Sequence, residues 1–279
     1  MRNFLISSVT RIDLVVWLLV ISFFLGSAVL FNGDLPMSFL GAAGIIFEML
    51  LIGMAVEIII ECLKNTKGIG TLTGFITNGP EAITLIVGLV AGDIIFAAST
   101  PLGSNFMNPI LLLIATLTCG YFFTISKIHP IYTIFSIGTT ALLAGTFFLL
   151  PTQYYLFWGL TVLIVTVPLF IFRPKEEGEE ETGYSFSPRL WILPAILILC
   201  MAGYFLDPIV SFTAEHSKAP KNIIGFIVLA TLTSWPEFKS CLALLKRNNP
   251  LAAILNIVVS NITNIWLAVI GVGVYLFNQ

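Results

Sequence analysis

The chain has 279 residues, of which 57% are hydrophobic and 10% charged, and its formal net charge is −2. Soluble domains carry about 25% charged residues, so this composition is that of a polytopic membrane protein and excludes a sizeable soluble domain. The charge balance gives no reason to expect a nucleic-acid partner, and the four cysteines (Cys62, Cys119, Cys200, Cys241) are too scattered for a disulfide framework or a thiolate metal site.

A crossing needs about 20 apolar residues, and the apolar runs predict nine helices in a single all-α transmembrane domain. The first covers 14–31, behind Arg2 and Arg11. It is longer than the apolar core of a cleaved signal peptide, about 7–15 residues, and reads as a retained extra helix within 1–37. After a turn at Asn32, Gly33, Asp34 and Pro36, a helix at 38–63 carries Glu48, Glu57 and Glu61. Helices at 69–90 and 95–122 complete a first unit, 38–122. The linking region, 123–189, holds plainer helices at 129–149 and 153–172 and an acidic run from Glu176 to Glu181, read as a solvated cytoplasmic turn. Helices at 190–214, 220–245 and 250–277 form a second unit, 190–279.

Counting basic residues on alternate sides tests this layout. Arg2, Arg11, Lys64, Lys67, Lys127, Arg173, Lys175, Arg189, Lys239, Lys246 and Arg247 fall on one side, and Lys218 and Lys221 on the other. The bias predicts a cell-membrane protein with a cytoplasmic N-terminus and an external C-terminus.

Two stretches repeat at a constant offset of 156. Gly-Phe-Ile-Thr-Asn-Gly-Pro-Glu ends at Glu81, and Ala-Thr-Leu-Thr-Ser-Trp-Pro-Glu ends at Glu237. Gly-Ser-Asn-Phe-Met-Asn ends at Asn108, and Val-Ser-Asn-Ile-Thr-Asn ends at Asn264. The Pro-Glu segments are the third and eighth helices, five crossings apart, so they traverse the membrane in opposite directions. That is the pattern of inverted-topology repeats in secondary transporters.

A proline inside a helix removes a donor and disturbs the carbonyl one turn back. Pro80 and Pro236 thereby free carbonyls near Ile76 and Leu232, with those of Gly74 and Ala230 a little further back. Thr77 and Asn78 share a face with Glu81, as Thr233 and Ser234 do with Glu237. Ser104 and Asn108, and likewise Ser260 and Asn264, are one turn apart. Together they make a set of oxygens with no histidine or thiol, which suits hard cations such as Ca²⁺, Na⁺ or Mg²⁺. Two glutamates supply the charge to neutralise one Ca²⁺, two Na⁺ or two protons. Competition for that charge is a physical basis for exchange.

At these residues the chain resembles the calcium/cation antiporter superfamily, in particular the sodium/calcium exchangers, whose two repeats read like Gly-Thr-Ser-x-Pro-Glu followed by Gly-Ser-Asn-x-x-Asn or Asp. The resemblance covers roughly 70–122 and 225–277. It implies alternating access, with Glu81 and Glu237 as central Ca²⁺ ligands. Asn108, Asn264, Ser104, Ser260, Thr77, Thr233 and Ser234 would complete Ca²⁺ and Na⁺ sites. Four departures stand out. Asn78 and Gly79 replace a serine and an apolar residue, Asn264 stands where an aspartate is common, and Ser99-Thr100-Pro101 replaces Gly-Asn. The family's last two helices also have no counterpart; the N-terminal helix or a partner in a homo-oligomer is the expected substitute.

Elsewhere, Glu57 and Glu61 with Lys64 read as an interfacial group, and Glu48 as a deeper carboxylate, either structural or a proton site. Asp93 and Asp207 are expected to sit at helix boundaries, and His129 and His216 near helix ends. No Ser-His pair, HExxH or paired mid-membrane aspartate supports an enzyme, and no cofactor is expected beyond the transported ions. The rival to Ca²⁺/Na⁺ exchange is Ca²⁺/H⁺ exchange on the same fold; a further alternative is a non-transporting membrane protein on this scaffold.

Overall fold

The computed structural model describes residues 8–90, 92, 94–176, 189–220, 228 and 230–278. Among these the chain is helical throughout, and eight segments are long and apolar enough to cross a membrane. The elements are α1 (Arg11–Leu30), α2 (Leu35–Leu63), α3 (Ile69–Ile76), α4 (Gly79–Val90), α5 (Ile94–Cys119), α6 (Phe122–Ile125), α7 (Pro130–Leu149), α8 (Tyr155–Ile171), α9 (Arg189–Ser217), α10 (Ala230–Thr233), α11 (Trp235–Lys246) and α12 (Pro250–Phe277). The helix expected at 220–245 is represented by α10 and α11, and its residues 221–227 lie outside the described set. Asp93 and Glu177–Glu181 also lie outside it.

Both segments that carry Pro-Glu are broken rather than kinked. The span Ile69–Val90 parts between α3 and α4 at Thr77 and Asn78. The second copy parts between α10 and α11 at Ser234. Each proline therefore falls in the first turn of a new half-helix, where its missing N–H has no intrahelical partner to lose. Each glutamate follows in that same turn, at the positive end of the half-helix dipole. The sequence thus places a carboxylate where a local backbone field favours its charge.

Small residues let the backbones approach. A Cβ on Gly74 of α3 would lie 2.7 Å from the Asn256 carbonyl oxygen of α12, and one on Gly70 would strike the Ala252 backbone. Gly70 and Gly74, one turn apart, thus form the seam between α3 and α12. Gly41 and Gly44 play the same part for α2 against Thr213 and Ile209 of α9. Helix α12 is enclosed along most of its length, from Ala252 to Ile265. The outer helices instead present large apolar residues outward, for example Leu18, Ile131, Leu142 and Ile164. Outward apolar side chains around an enclosed helix are the arrangement lipid contact requires.

Three expectations are corrected. Glu176 is not a solvated turn residue. Its carboxylate accepts hydrogen bonds from Gly70 N (2.8 Å), Thr71 N (3.0 Å) and Thr71 Oγ1 (3.2 Å). Helix α3 starts after Gly68, at φ +80°, which has no side chain to satisfy those exposed N–H groups, so a distant carboxylate does so. Asp207, expected at a boundary, lies within α9, where Ser211 Oγ donates to it at 3.4 Å. Lys239, counted with the loop cations, is buried inside α11. The basic residues then divide ten against two, with the same sense.

A side chain at the α3–α12 seam should be costly. Gly74→Val is expected to lower stability to chemical unfolding in detergent by about 1–3 kcal/mol or more, the usual penalty of overpacking. Gly103→Ala, whose Cβ would meet nothing within 4 Å, should leave stability unchanged or raise it.

Candidate cation site

Helix α4 contributes Glu81 and α11 contributes Glu237, each fully buried. Ser104 Oγ donates to Glu81 Oε1 at 3.2 Å, and Ser260 Oγ to Glu237 Oε1 at 3.3 Å. The same donor, 23 residues after the same acceptor, occurs in both copies. Asn105 and Asn261, also 156 apart, exchange reciprocal bonds: Asn105 Nδ2 donates to Asn261 O at 3.1 Å, and Asn261 Nδ2 to Asn105 O at 3.4 Å. Helices α5 and α12 therefore cross at equivalent residues, and this crossing sets the centre of the site.

Around the crossing, Asn108 Nδ2 donates to Ser260 Oγ (3.1 Å) and to Asn261 Oδ1 (2.9 Å). Ser260 Oγ also bonds Asn78 Oδ1 at 2.8 Å. Asn78 Nδ2 donates to Ser260 O (2.9 Å) and to Thr263 Oγ1. Thr77, Ser234 and Asn264 are also buried. Gly74 lies against Asn256 and Ser260, while Ala230 and Thr233 form the short α10 before the second break.

The geometry leaves acceptors over. Glu81 Oε2, Glu237 Oε2, Asn105 Oδ1, Asn108 Oδ1, Asn256 Oδ1 and Asn264 Oδ1 are buried without a hydrogen-bond partner among the described residues, as is Ser234 Oγ. Unpaired buried acceptors are costly, and an unpartnered oxygen on a charged carboxylate in a low-dielectric interior much more so. A hard cation satisfies several such oxygens at once. Among the described residues there is no cluster of three or more His, Cys, Asp or Glu side chains. The buried oxygens gathered here belong to two carboxylates and to neutral amide and hydroxyl groups.

Comparison with protein families bears on this arrangement because its second half, Glu237 to Asn264, lies in the matched segment. Residues 188–278 match the sodium/calcium exchanger protein family. The match takes in the half of the site that runs from Glu237 to Asn264. Comparison with curated proteins and with solved structures gives no match.

Asn256, whose Nδ2 donates to Glu237 O at 3.3 Å, opens the run that ends at Asn264 but has Thr100 at the equivalent position of the first copy, so the motif and not the offset points to it. Asn105 and Asn261 were flagged by the offset, but a bond between copies cannot be read from either copy alone. Glu57 and Glu61 are joined by Arg247 Nη2, at 2.7 and 3.3 Å, besides the Glu61–Lys64 pair at 2.5 Å. Glu48 is buried, with one carboxylate oxygen unpartnered among the described residues. His216 Nδ1 meets the Phe212 carbonyl of its own helix at 2.9 Å, and His129 precedes α7.

The two serines are not equivalent in connection. Ser260 joins Glu237, Asn78 and Asn108, whereas Ser104 joins Glu81 and the Thr100 carbonyl. Ser260→Ala should therefore weaken Ca²⁺ binding, measured by calorimetry in detergent, more than Ser104→Ala does. The loss of a charge-assisted bond, about 1.5–3 kcal/mol, corresponds to roughly 10–150-fold in affinity.

Proposed function

We propose that this integral membrane protein is a secondary active antiporter exchanging Ca²⁺ for Na⁺ by alternating access at a midplane site. The observation that carries the reading is the pair of fully buried carboxylates, each with one unpartnered oxygen, set among buried amide and hydroxyl oxygens. Glu81 and Glu237 are assigned as the central ligands. Asn108, Asn264, Ser104, Ser260, Thr77, Asn78, Thr233 and Ser234 supply side-chain oxygens, and Gly74 and Ala230 backbone carbonyls. The charge of −2 is offset by one Ca²⁺ or by two monovalent cations, so the loads compete for the same desolvated groups.

Support for an inverted repeat comes from the Ser–Glu bonds made at the same spacing and the reciprocal Asn105–Asn261 pair. Both are what a two-fold relation between the copies produces. The broken helices add support, since broken spans with half-helix ends at a polar centre are the transporter device for holding ions. The bias of cations supports a cytoplasmic N-terminus and an external C-terminus, in the cell membrane. A second reading, Ca²⁺/H⁺ exchange, is favoured by Asn264, which leaves only two carboxylates at the centre, and by buried Glu48.

Reconstituted vesicles loaded with Na⁺ are expected to take up radioactive Ca²⁺ when diluted into Na⁺-free medium. Uptake driven only by a pH gradient would replace Na⁺ by H⁺, and uptake under neither gradient by folded protein would overturn the antiporter. Glu81→Gln and Glu237→Gln should each abolish Ca²⁺ exchange while the protein still runs as a single folded species. Wild-type rates in either variant would refute the assignment.

A further inference from the structure

Glu237 belongs to a half-helix that is anchored in a way its counterpart is not. Two residues on, Lys239 is buried together with Asp13, the first-turn acid of α1. Its Nζ donates to both oxygens of Asp13, at 2.8 and 3.0 Å, and to the Ser8 carbonyl at 2.6 Å. Asp13 is itself fixed by Thr10, whose backbone N (2.5 Å) and Oγ1 (2.7 Å) both donate to Oδ2. The lysine stem reaches α1 past Gly53 of α2, where a Cβ would stand 3.1 Å from Lys239 Cε. A side chain at Gly53 would crowd that passage.

The first copy lacks the device. Position 83, equivalent to 239, is Ile83 and only partly buried. Along α4 only Pro80, Glu81, Leu85 and Gly88 are buried, whereas α11 is buried from Trp235 to Leu245. Helix α1 packs chiefly on α2 and then on α9. Its buried charge is directed at α11.

We propose that Lys239 and Asp13 are positioning residues that fix the depth and rotation of α11, and with it Glu237, making the N-terminal helix a working part of the cation site. The proposal rests on the cation-site reading above. Buried ion pairs contribute little net stability, since desolvation offsets attraction, and register is their best-attested role. One turn of freedom along α11 would carry Glu237 about 5.4 Å from its oxygens. A pair that loses several kcal/mol on separation resists such a slip. By linkage, whatever fixes Glu237 for Ca²⁺ is itself steadied when Ca²⁺ binds.

The double variant D13N/K239M removes both charges, and the amide introduced on α1 retains an acceptor for Thr10. Its thermal stability in detergent should stay near that of the wild type. Its half-saturating Ca²⁺ in calorimetry should rise about tenfold, the scale of a positional coupling. K239R, which keeps the charge, should stay nearer the wild type. An unchanged Ca²⁺ affinity in a folded double variant would overturn the proposal. Hydrogen–deuterium exchange of the wild-type protein tests the same link without a variant: Ca²⁺ should slow exchange at residues 8–16, and exchange there indifferent to bound Ca²⁺ would also overturn it. If the wild-type protein binds no Ca²⁺, the cation-site reading fails first, and the two failures are thereby distinguished.

Discussion

Two carboxylates buried in one hydrogen-bonded crossing, away from water and without a full set of donors, cannot both stay charged unless something positive joins them. Glu81 and Glu237 impose that constraint, and much of the described structure serves it. The helix breaks at Thr77–Asn78 and Ser234 bring each glutamate to the positive end of a half-helix. Gly70 and Gly74 let α3 approach α12 closely enough for Asn78 to reach Ser260 and Thr263. The amides of Asn105, Asn108 and Asn261 then tie the crossing together with neutral groups, which adds oxygens without adding charge.

The two halves are alike in plan and unlike in detail. Asn78 commits both ends of its amide to the opposite helix, whereas Ser234, its counterpart, keeps a buried hydroxyl without a partner among the described residues. Helix α11 is enclosed and tied to α1 through Lys239, whereas α4 is half exposed. The candidate site is thus built of unequal halves, with two carboxylates and a neutral Asn264 at the end of the second motif.

Much of the architecture was readable because membrane helices leave strong signals. Long apolar runs located the described spans to within a few residues, and the offset of 156 identified both halves of the candidate site. What escaped was of two kinds. Contacts between distant segments, such as Glu176 on the start of α3 or Arg247 on Glu57 and Glu61, have no local signature. Buried charges, such as Asp13 and Lys239, sit at the edges of apolar runs and read as ordinary loop or interface residues until a partner appears. The prolines were legible as breaks, but only the helix boundaries reveal that each falls in a first turn, where its missing N–H costs nothing.

Equilibrium binding of radioactive Ca²⁺ to the purified wild-type protein in detergent tests whether the two glutamates and their neutral neighbours form one cation site. One Ca²⁺ per chain is expected, displaced by Na⁺ or by protons and lost in both Glu81→Gln and Glu237→Gln. A folded wild-type protein that binds no Ca²⁺, or retains full binding in either variant, would contradict it.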